Sequence, residues 1–233
     1  MPPNTESGPV RGETPGASFS PEHWSLLSEG SSLRPWKRGE PLMRQGERAH
    51  EVILIAEGRG KITTVTGNGH TRLLTIRKAG ELVGELGCLD GGSRSATVTA
   101  MCPTRGYVIP GTRFATLLGN DGELALAVMR SVCRKLRHSD SHRASMGAGL
   151  PCLERVAQVL AEHSVEHGET VAGRPRTRLV RLTQQEIAEA SGVARETVVR
   201  TLRKLAGKEF VERRRGAVLV RDPAALLTWL SER

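Results

Sequence analysis

The sequence contains few cysteines and no long apolar run, and both shortages exclude whole classes of protein. Its four cysteines, at positions 88, 102, 133 and 152, form no CxxC pair and no cluster. Zinc, iron–sulfur and redox-pair sites therefore lack their spacing, and we expect buried, reduced thiols. No apolar run approaches membrane-spanning length, and the polar N-terminus lacks a signal-peptide core. We expect a cytoplasmic protein with no membrane partner.

The residue constellations of common enzymes are also missing. No nucleophile–base pair and no paired carboxylates stand out, and His50 and His70 are solitary where a metal-dependent β-barrel enzyme would need a His-x-His pair. We therefore expect no enzymatic activity and no bound metal, with a β-barrel enzyme carrying an accessory domain as the alternative. Two histidine pairs at i,i+4 spacing lack a third ligand, and we interpret them as parts of solvated helices. These pairs are His138 with His142 and His163 with His167.

Lysine is scarce relative to arginine in a basic chain. The 233 residues carry a formal net charge of +9, and Lys and Arg total 34. Arginine suits contacts with phosphate and guanine, and the net charge favours a polyanionic partner. A GC-rich genome would also enrich arginine, so composition alone does not identify the partner. The six lysines are Lys37, Lys61, Lys78, Lys135, Lys204 and Lys208.

Residues Thr183–Leu205 have the pattern of a helix-turn-helix. Thr183 and Glu186 have the spacing of a capping box, which marks the start of a helix. Gly192 follows the first helix, where glycine tolerates a left-handed turn. Together these signals predict two short helices joined by a tight turn. The inner face of the second helix is supplied by Val193, Val198 and Leu202.

The exposed face of the second helix carries charges that suit DNA bases. Arg195, Arg200 and Arg203 are of the type that pairs with guanine O6 and N7, and Glu196 can accept a hydrogen bond from cytosine N4. A solvated helix also carries such charges, but the turn and the capping box favour a DNA-binding head. The sequence then predicts a β-hairpin over 210–220, whose basic tip includes Arg214. The result is a winged helix-turn-helix whose wing touches phosphates.

Short apolar runs separated by glycine-rich turns fill residues 33–114. Strands this short, with regular turn signals, predict an antiparallel barrel, roll or sandwich. Asn68-Gly69 is a strong hairpin signal within it.

The stretch Gly84–Ala100 within this β region has the composition of a small-anion site. Gly84 and Gly87 allow backbone amides to approach a ligand closely, and Arg94 and Ser95 follow a Gly-Gly turn. An arginine, a hydroxyl group and bare amides suit a phosphate. Glu85 would accept hydrogen bonds from sugar hydroxyls. The alternative is a plain surface loop.

A long helical pattern begins near Gly122, and its apolar residues recur at alternating spacings of four and three. This pattern predicts a coiled-coil seam, and the alternative is a helix packed on its own β domain. The two polar positions in the seam would suit contact with something polar, such as a base. The seam positions are Ala125, Met129, Val132, Leu136, Ser139, Arg143 and Met146.

The remaining segments set the predicted domain boundaries. Residues 1–18 are rich in Pro, Gly, Ser and Thr, which predicts a disordered arm. The cluster GAGLP at 147–151 predicts a hinge. Residues 166–178 are interpreted as an exposed basic loop. A closing helix is expected over Pro223–Leu230.

This order of elements resembles the bacterial cyclic AMP receptor protein/FNR family of transcription regulators over residues 19–230. The resemblance implies an α+β fold: an antiparallel, jelly-roll-like cyclic-nucleotide-binding β-roll (19–119), a dimerisation helix (120–146), a hinge and a winged helix-turn-helix (152–233). Two motifs carry it. They are the segment Gly84–Ala96, called the cassette below, and Gln185-Glu186-Ile187…Ser191-Gly192…Arg195-Glu196-Thr197-Val198…Arg200.

The resemblance also implies roles for individual residues. Glu85 would bind the ribose 2′-hydroxyl of cyclic AMP, and Arg94 and Ser95 would hold its cyclic phosphate. The base would be contacted from Ser139 and Asp140 at the dimer seam. The cassette residues Gly84, Leu86 and Gly87 would complete the ligand site. For DNA, the implied contacts are a TGTGA-like half-site bound by Arg195, Glu196 and Arg200, and phosphates bound by Thr183, Gln184 and Thr197.

The family further implies a homodimer bound to double-stranded DNA, with RNA polymerase as a partner and cyclic AMP as an allosteric ligand. Three departures bear on this expectation. Ser139-Asp140 replaces a Thr-Ser or Thr-Thr pair, so Asp140 would refuse adenine, select another base or face solvent. Ala194 replaces a capping Ser or Thr. The FNR-type cysteine cluster is absent. A second hypothesis therefore keeps the same head but gives the chain an empty pocket or another effector.

Overall fold

The computed structural model describes residues 19–67, 69–145 and 150–232. The predicted arm, Asn68 of the predicted hairpin turn and residues 147–149 of the predicted hinge lie outside these ranges. The described residues form two compact units. The first contains 19–60 and 77–131, and the second contains 61–76 and 132–232.

Eight strands and three helices precede the long helix within the described residues. Their bounds are α1 (Pro21–Ser28), β1 (Ser32–Trp36), β2 (Pro41–Met43), β3 (Glu51–Glu57), β4 (Arg59–Val65), β5 (Thr71–Lys78), β6 (Leu82–Val83), α2 (Glu85–Asp90), β7 (Thr97–Ala100), β8 (Thr104–Pro110) and α3 (Gly111–Asn120).

The strands form two four-stranded sheets, ordered β1-β8-β3-β6 and β2-β7-β4-β5. The β1–β8, β3–β8, β3–β6 and β2–β7 pairs are all antiparallel. In β3 the run from Val52 to Ile55 is fully buried, which suits β-branched and leucine side chains in a central strand. The predicted antiparallel β-roll is confirmed.

The core of the first unit lies between β3, β8 and the flanking helices. Leu27 of α1 and Phe114 of α3 pack into it, together with Leu124 and Val128 from the start of α4 (Gly122–Ser145). The long helix therefore begins by packing on its own β domain. Its predicted seam lies on other positions, where Met129 and Leu136 are 56% and 60% exposed.

The second unit holds the winged helix-turn-helix, which is confirmed. Strands of this unit form a sheet ordered β11-β12-β10-β9, with antiparallel pairs throughout. The elements are α5 (Cys152–His167), β9 (Glu169–Val171), β10 (Arg174–Val180), α6 (Gln184–Ser191), α7 (Arg195–Gly207), β11 (Val211–Arg214), β12 (Ala217–Val220) and α8 (Pro223–Ser231).

The interpretation of 166–178 as a basic loop is wrong, because β9 and much of β10 lie there. Arg174 and Arg176 are exposed while Thr177 is buried, so the charged residues lie on the open face of a strand. The strand forms because Arg178 and Leu179 pair with Val220 and Leu219 of the apolar β12. No described helix combines the length and the apolar character needed to cross a membrane.

Candidate anion site and nucleic-acid interface

The cassette begins in a left-handed backbone turn. Gly84 has φ +83° and forms the N-cap of α2, so the predicted turn is followed by a short helix rather than a loop. A Cβ atom at this position would lie 2.5 Å from Arg94 Nη1 and 2.8 Å from Met43 Cε. Both the positive φ and the close approach therefore require glycine.

Arg94 is the central charge of the cassette, and it is only 5% exposed. Nη1 donates to the Gly84 carbonyl at 2.8 Å, and Nη2 donates to the Glu51 carbonyl at 2.6 Å. The backbone of Arg94 is fixed as well, since its amide donates to Glu47 O and its carbonyl accepts from Gly46 N. Among the described residues, no carboxylate forms an ion pair with Arg94. A buried guanidinium that bonds to backbone carbonyls and forms no ion pair with a carboxylate among the described residues favours an anion.

The other predicted cassette residues divide by exposure. Glu85 is 4% exposed and Gly87 is buried, whereas Leu86 and Ser95 are exposed. The Cys88 thiol lies between the charges: it donates to Glu51 O at 3.3 Å, and Arg94, Glu51 and Glu85 all act on it electrostatically. Burial raises the pKa of Cys88, and Arg94 opposes this rise. The structure thus adds the Cys88 thiol to the site beside Glu85 and Arg94, and no sequence motif marks this cysteine as a site residue.

Two predicted ligand contacts lie on α4. Ser139 is half-buried, and the side chain of Asp140 is outside the described part of the chain. Ser139 belongs to the second compact unit and the cassette to the first. The convergence of these residues on one ligand stays a prediction.

The capping box at the start of α6 is present. The Glu186 amide donates to Thr183 Oγ1 at 3.2 Å, and the Thr183 amide donates to Glu186 Oε2 at 2.9 Å. The remaining oxygen of Glu186 accepts from Lys61 Nζ at 3.2 Å. Gln184 is the first residue of α6 and is half-buried. Thr183 and Gln184 therefore flank a helix N-terminus, which suits phosphate.

Helix α7 separates its apolar and charged residues cleanly. Val198, Leu202 and Leu205 are buried, while Arg195, Glu196 and Arg200 are exposed. Arg200 Nη2 donates to Thr197 Oγ1 at 3.2 Å, which orients the arginine along the helix. Within the described residues, Arg195 and Glu196 make no side-chain hydrogen bond. Ala194 is the N-cap and provides no side-chain cap, as its sequence identity implies.

In the wing, the arginine predicted to contact DNA phosphates, Arg214, is already paired with a carboxylate. Arg214 Nη2 donates to Glu212 Oε2 at 3.0 Å, and Arg174 Nη1 donates to Glu212 Oε1 at 3.4 Å. Despite an opposing desolvation effect, these two arginines lower the pKa of Glu212. Arg213 and Arg215 are exposed and make no ion pair among the described residues. The sequence does carry a signal for the pairing of Glu212 with Arg214, because residues two apart on a strand share a face.

Two other expectations from the sequence are wrong. None of the four thiols is fully buried, since Cys133 and Cys152 are exposed and Cys88 and Cys102 are intermediate. His163 is only 7% exposed, with Nδ1 3.0 Å from Val159 O, so it is not part of a solvated face. Within the described residues, no group of three potential ligands is placed to hold a metal ion.

An antiparallel β-roll with a buried arginine in its cassette shares this chain with a winged helix-turn-helix. This combination defines a DNA-binding regulator with a small-ligand domain. The family described as "Cyclic nucleotide-binding domain" matches residues 33–121, and the "Crp-like helix-turn-helix domain" matches residues 154–229. The chain belongs to the Crp/Fnr family of transcription regulators, and it carries a cyclic nucleotide-binding domain.

Individual relatives agree with this assignment. The chain is 27% identical over 190 residues to the CRP-like cAMP-activated global transcriptional regulator of Mycobacterium tuberculosis, covering 81% of this chain and 84% of the relative. It is 27% identical over 208 residues to the cyclic AMP receptor protein of Thermus thermophilus, covering 89% and 92%. The c-di-GMP-responsive regulator CLP of Xanthomonas campestris has a similar structure, with a TM-score of 0.75 at 20% identity over 85% of this chain and 98% of CLP.

Proposed function

We propose that this transcription regulator is a homodimer whose affinity for DNA is set by cyclic AMP. The ligand binds the cassette, and two α7 helices recognise a TGTGA-like palindrome one DNA turn apart. At a promoter the bound dimer contacts RNA polymerase. A ligand shifts such an equilibrium only through its different affinities for the two states.

One observation carries the ligand proposal: the buried charge of Arg94. Charged side chains are almost never fully buried unless they are paired, yet Arg94 is 5% exposed and bonds to the carbonyls of Gly84 and Glu51. A cyclic phosphate would supply the missing anion. Buried Glu85 in the first turn of α2 suits the ribose hydroxyls that accompany such a phosphate. Cyclic AMP as the effector is further supported by the relatives activated by it.

The dimer proposal rests on the exposed stripe of α4. Met129 and Leu136 lie seven residues apart, on one face of the helix, and both are more than half exposed. A second copy of the helix would cover them in a coiled-coil seam.

Calorimetry with cyclic AMP on nucleotide-stripped protein tests the ligand site. Arg94→Leu should abolish cyclic AMP binding, because it removes the charge that faces the phosphate. Arg38→Ala removes an exposed arginine of the same unit and should bind like the parent. Circular dichroism and thermal unfolding verify that Arg94→Leu is folded. Unchanged binding by this variant would show that the site is assigned wrongly.

A second candidate keeps the head and changes the effector. It is favoured by Asp140, which stands where cyclic AMP sensors place Thr or Ser, and by the likeness to the c-di-GMP-responsive CLP. DNA binding is measured with cyclic AMP, cyclic GMP, cyclic di-GMP or no nucleotide. Equal DNA affinity with and without cyclic AMP would favour this second candidate.

A further inference from the structure

The turn of the helix-turn-helix is held from a third helix. Arg155 of α5 donates through Nη2 to the carbonyl of Gly192 at 3.0 Å. Gly192 is the left-handed C-cap of α6, with φ +61°, and its amide donates to Ala188 O. Both polar groups of this one peptide residue are therefore bonded, one to α6 and the other to α5.

This contact matters because no side chain caps the N-terminus of α7. Only Val193 and Ala194 separate Gly192 from the start of α7, and Ala194 has no side-chain acceptor to bond the first amides of the helix. A side-chain cap would normally fix how the chain enters a helix. Here the path of the chain into α7 is fixed before the N-cap, at the carbonyl of Gly192 in the turn.

The helix that carries Arg155 is anchored in the core. Val156, Ala157 and Leu160, on the side of α5 facing away from Arg155, are fully buried. The Arg155 Nε atom is buried without a hydrogen-bond partner among the described residues. Burying such a donor is unfavourable, so the guanidinium keeps its bond to Gly192 although Nε is left without a partner.

We propose that Arg155 is a positioning residue that sets the orientation of α7, and with it the discrimination between DNA sequences. The proposal rests on the DNA-binding role proposed above. Arg195 and Glu196 stand in the first turn of α7, directly after the held turn. A loosened turn changes where their side chains meet base edges. It leaves the phosphate-facing charges of the head in place, so sequence-independent affinity is retained.

Two simpler roles for Arg155 give different signatures. A direct phosphate contact would contribute equally to specific and non-specific DNA, and its loss would lower the salt slope by about 0.9. A purely structural role would lower thermal stability without changing the preference among sequences.

The test compares Arg155→Ala, Arg155→Lys and the parent as full-length proteins with saturating cyclic AMP. The parent first selects its preferred duplex from a randomised DNA pool, so that no site is assumed. The measured quantity is the ratio of affinity for that duplex to affinity for random DNA, together with the salt slope and the unfolding temperature. Arg176→Ala, which removes an exposed arginine of β10 from the same unit, is the charge-matched control.

We expect Arg155→Ala to lower the specificity ratio about tenfold, which is within the range of one lost base contact. Its affinity for random DNA should stay within about twofold of the parent, a change that corresponds to roughly 0.4 kcal/mol. Arg155→Lys keeps the charge and one donor and should recover part of the ratio, whereas Arg176→Ala should keep all of it. An unchanged ratio in Arg155→Ala, or equal losses on both duplexes with a reduced salt slope, overturns the proposal. A parent that selects no sequence with cyclic AMP, with the other cyclic nucleotides or without any nucleotide overturns the DNA-binding role itself, and the positioning role falls with it.

Discussion

The cassette and the DNA-binding head both use arginine, but in opposite physical states. Arg94 is 5% exposed and its guanidinium is bonded to two backbone carbonyls. Arg195 and Arg200 are exposed on α7, and Arg200 donates a hydrogen bond to its neighbour Thr197. A small anion offers few contacts, so its site gains from a fixed and desolvated charge. A DNA duplex presents many phosphates and base edges, so the DNA-binding head needs charges that remain exposed to solvent.

The contrast predicts that the cassette tolerates change less than the head. A single added methyl group should disrupt ligand binding by the cassette. A single substitution in the DNA-binding head should remove only one DNA contact.

The largest effect is expected from Gly84→Ala. The new Cβ would lie 2.5 Å from Arg94 Nη1 in a backbone with φ +83°, so the guanidinium must leave its carbonyl partners. We expect cyclic AMP affinity to fall more than about tenfold, and the free energy of unfolding to fall by about 1–3 kcal/mol.

Gly91→Ala is the matched control for this variant. Gly91 has φ +71° at the other end of α2, but a Cβ there meets nothing within 4 Å. It carries the same kind of backbone strain without displacing Arg94. If both variants lost ligand affinity equally, strain rather than the displaced guanidinium would be responsible.

A smaller and more local effect is expected from Arg200→Ala in the head. Removing one base-contacting arginine should cost about 1–3 kcal/mol of specific DNA binding and relax the preference at one base position. Binding to a panel of single-base variants of the site measures both. Arg221→Ala, at an exposed arginine paired with Glu209, should leave the panel unchanged. A uniform loss across the panel would instead assign Arg200 to a phosphate.

The parts of this molecule that were predictable from sequence are those set by local spacing. The capping box of Thr183 and Glu186 and the left-handed Gly192 involve bonds between residues three or four apart, and such spacing can be seen in the sequence. The exposed and buried faces of α7 follow its helical period in the same way.

What could not be predicted depends on residues that are distant in sequence. Arg94 donates to the carbonyl of Glu51, 43 residues away, and Arg155 donates to Gly192, 37 residues away. Carbonyl partners leave no trace in side-chain patterns, so neither bond has a sequence signal. The sequence does not reveal strand β10 for a related reason, because its apolar partner β12 lies about 40 residues downstream.

The smallest expected effect concerns Cys88, the thiol within the cassette. Burial raises the pKa of Cys88, whereas Cys133 and Cys152 are exposed. Since the thiolate is the nucleophile, iodoacetamide at pH 8 should alkylate Cys88 more slowly than the two exposed thiols. The nearby positive charge of Arg94 lowers the pKa of Cys88, and a bound cyclic phosphate would partly cancel that charge. Saturating cyclic AMP should therefore slow the alkylation of Cys88 by a further factor of about two or more, which corresponds to a small rise in its pKa.

Mass spectrometry of the alkylated peptides over time separates the three cysteines in one sample. Cys152 is the internal reference, because no change in its electrostatic surroundings is expected from a ligand in the cassette. Cys88 labelling as fast as Cys152 would contradict its burial behind Arg94. If Cys88 is labelled more slowly than Cys152 but cyclic AMP does not change its rate, the thiol is buried but the phosphate does not bind next to Arg94. That result would remove the contrast between a desolvated cassette and a solvated head.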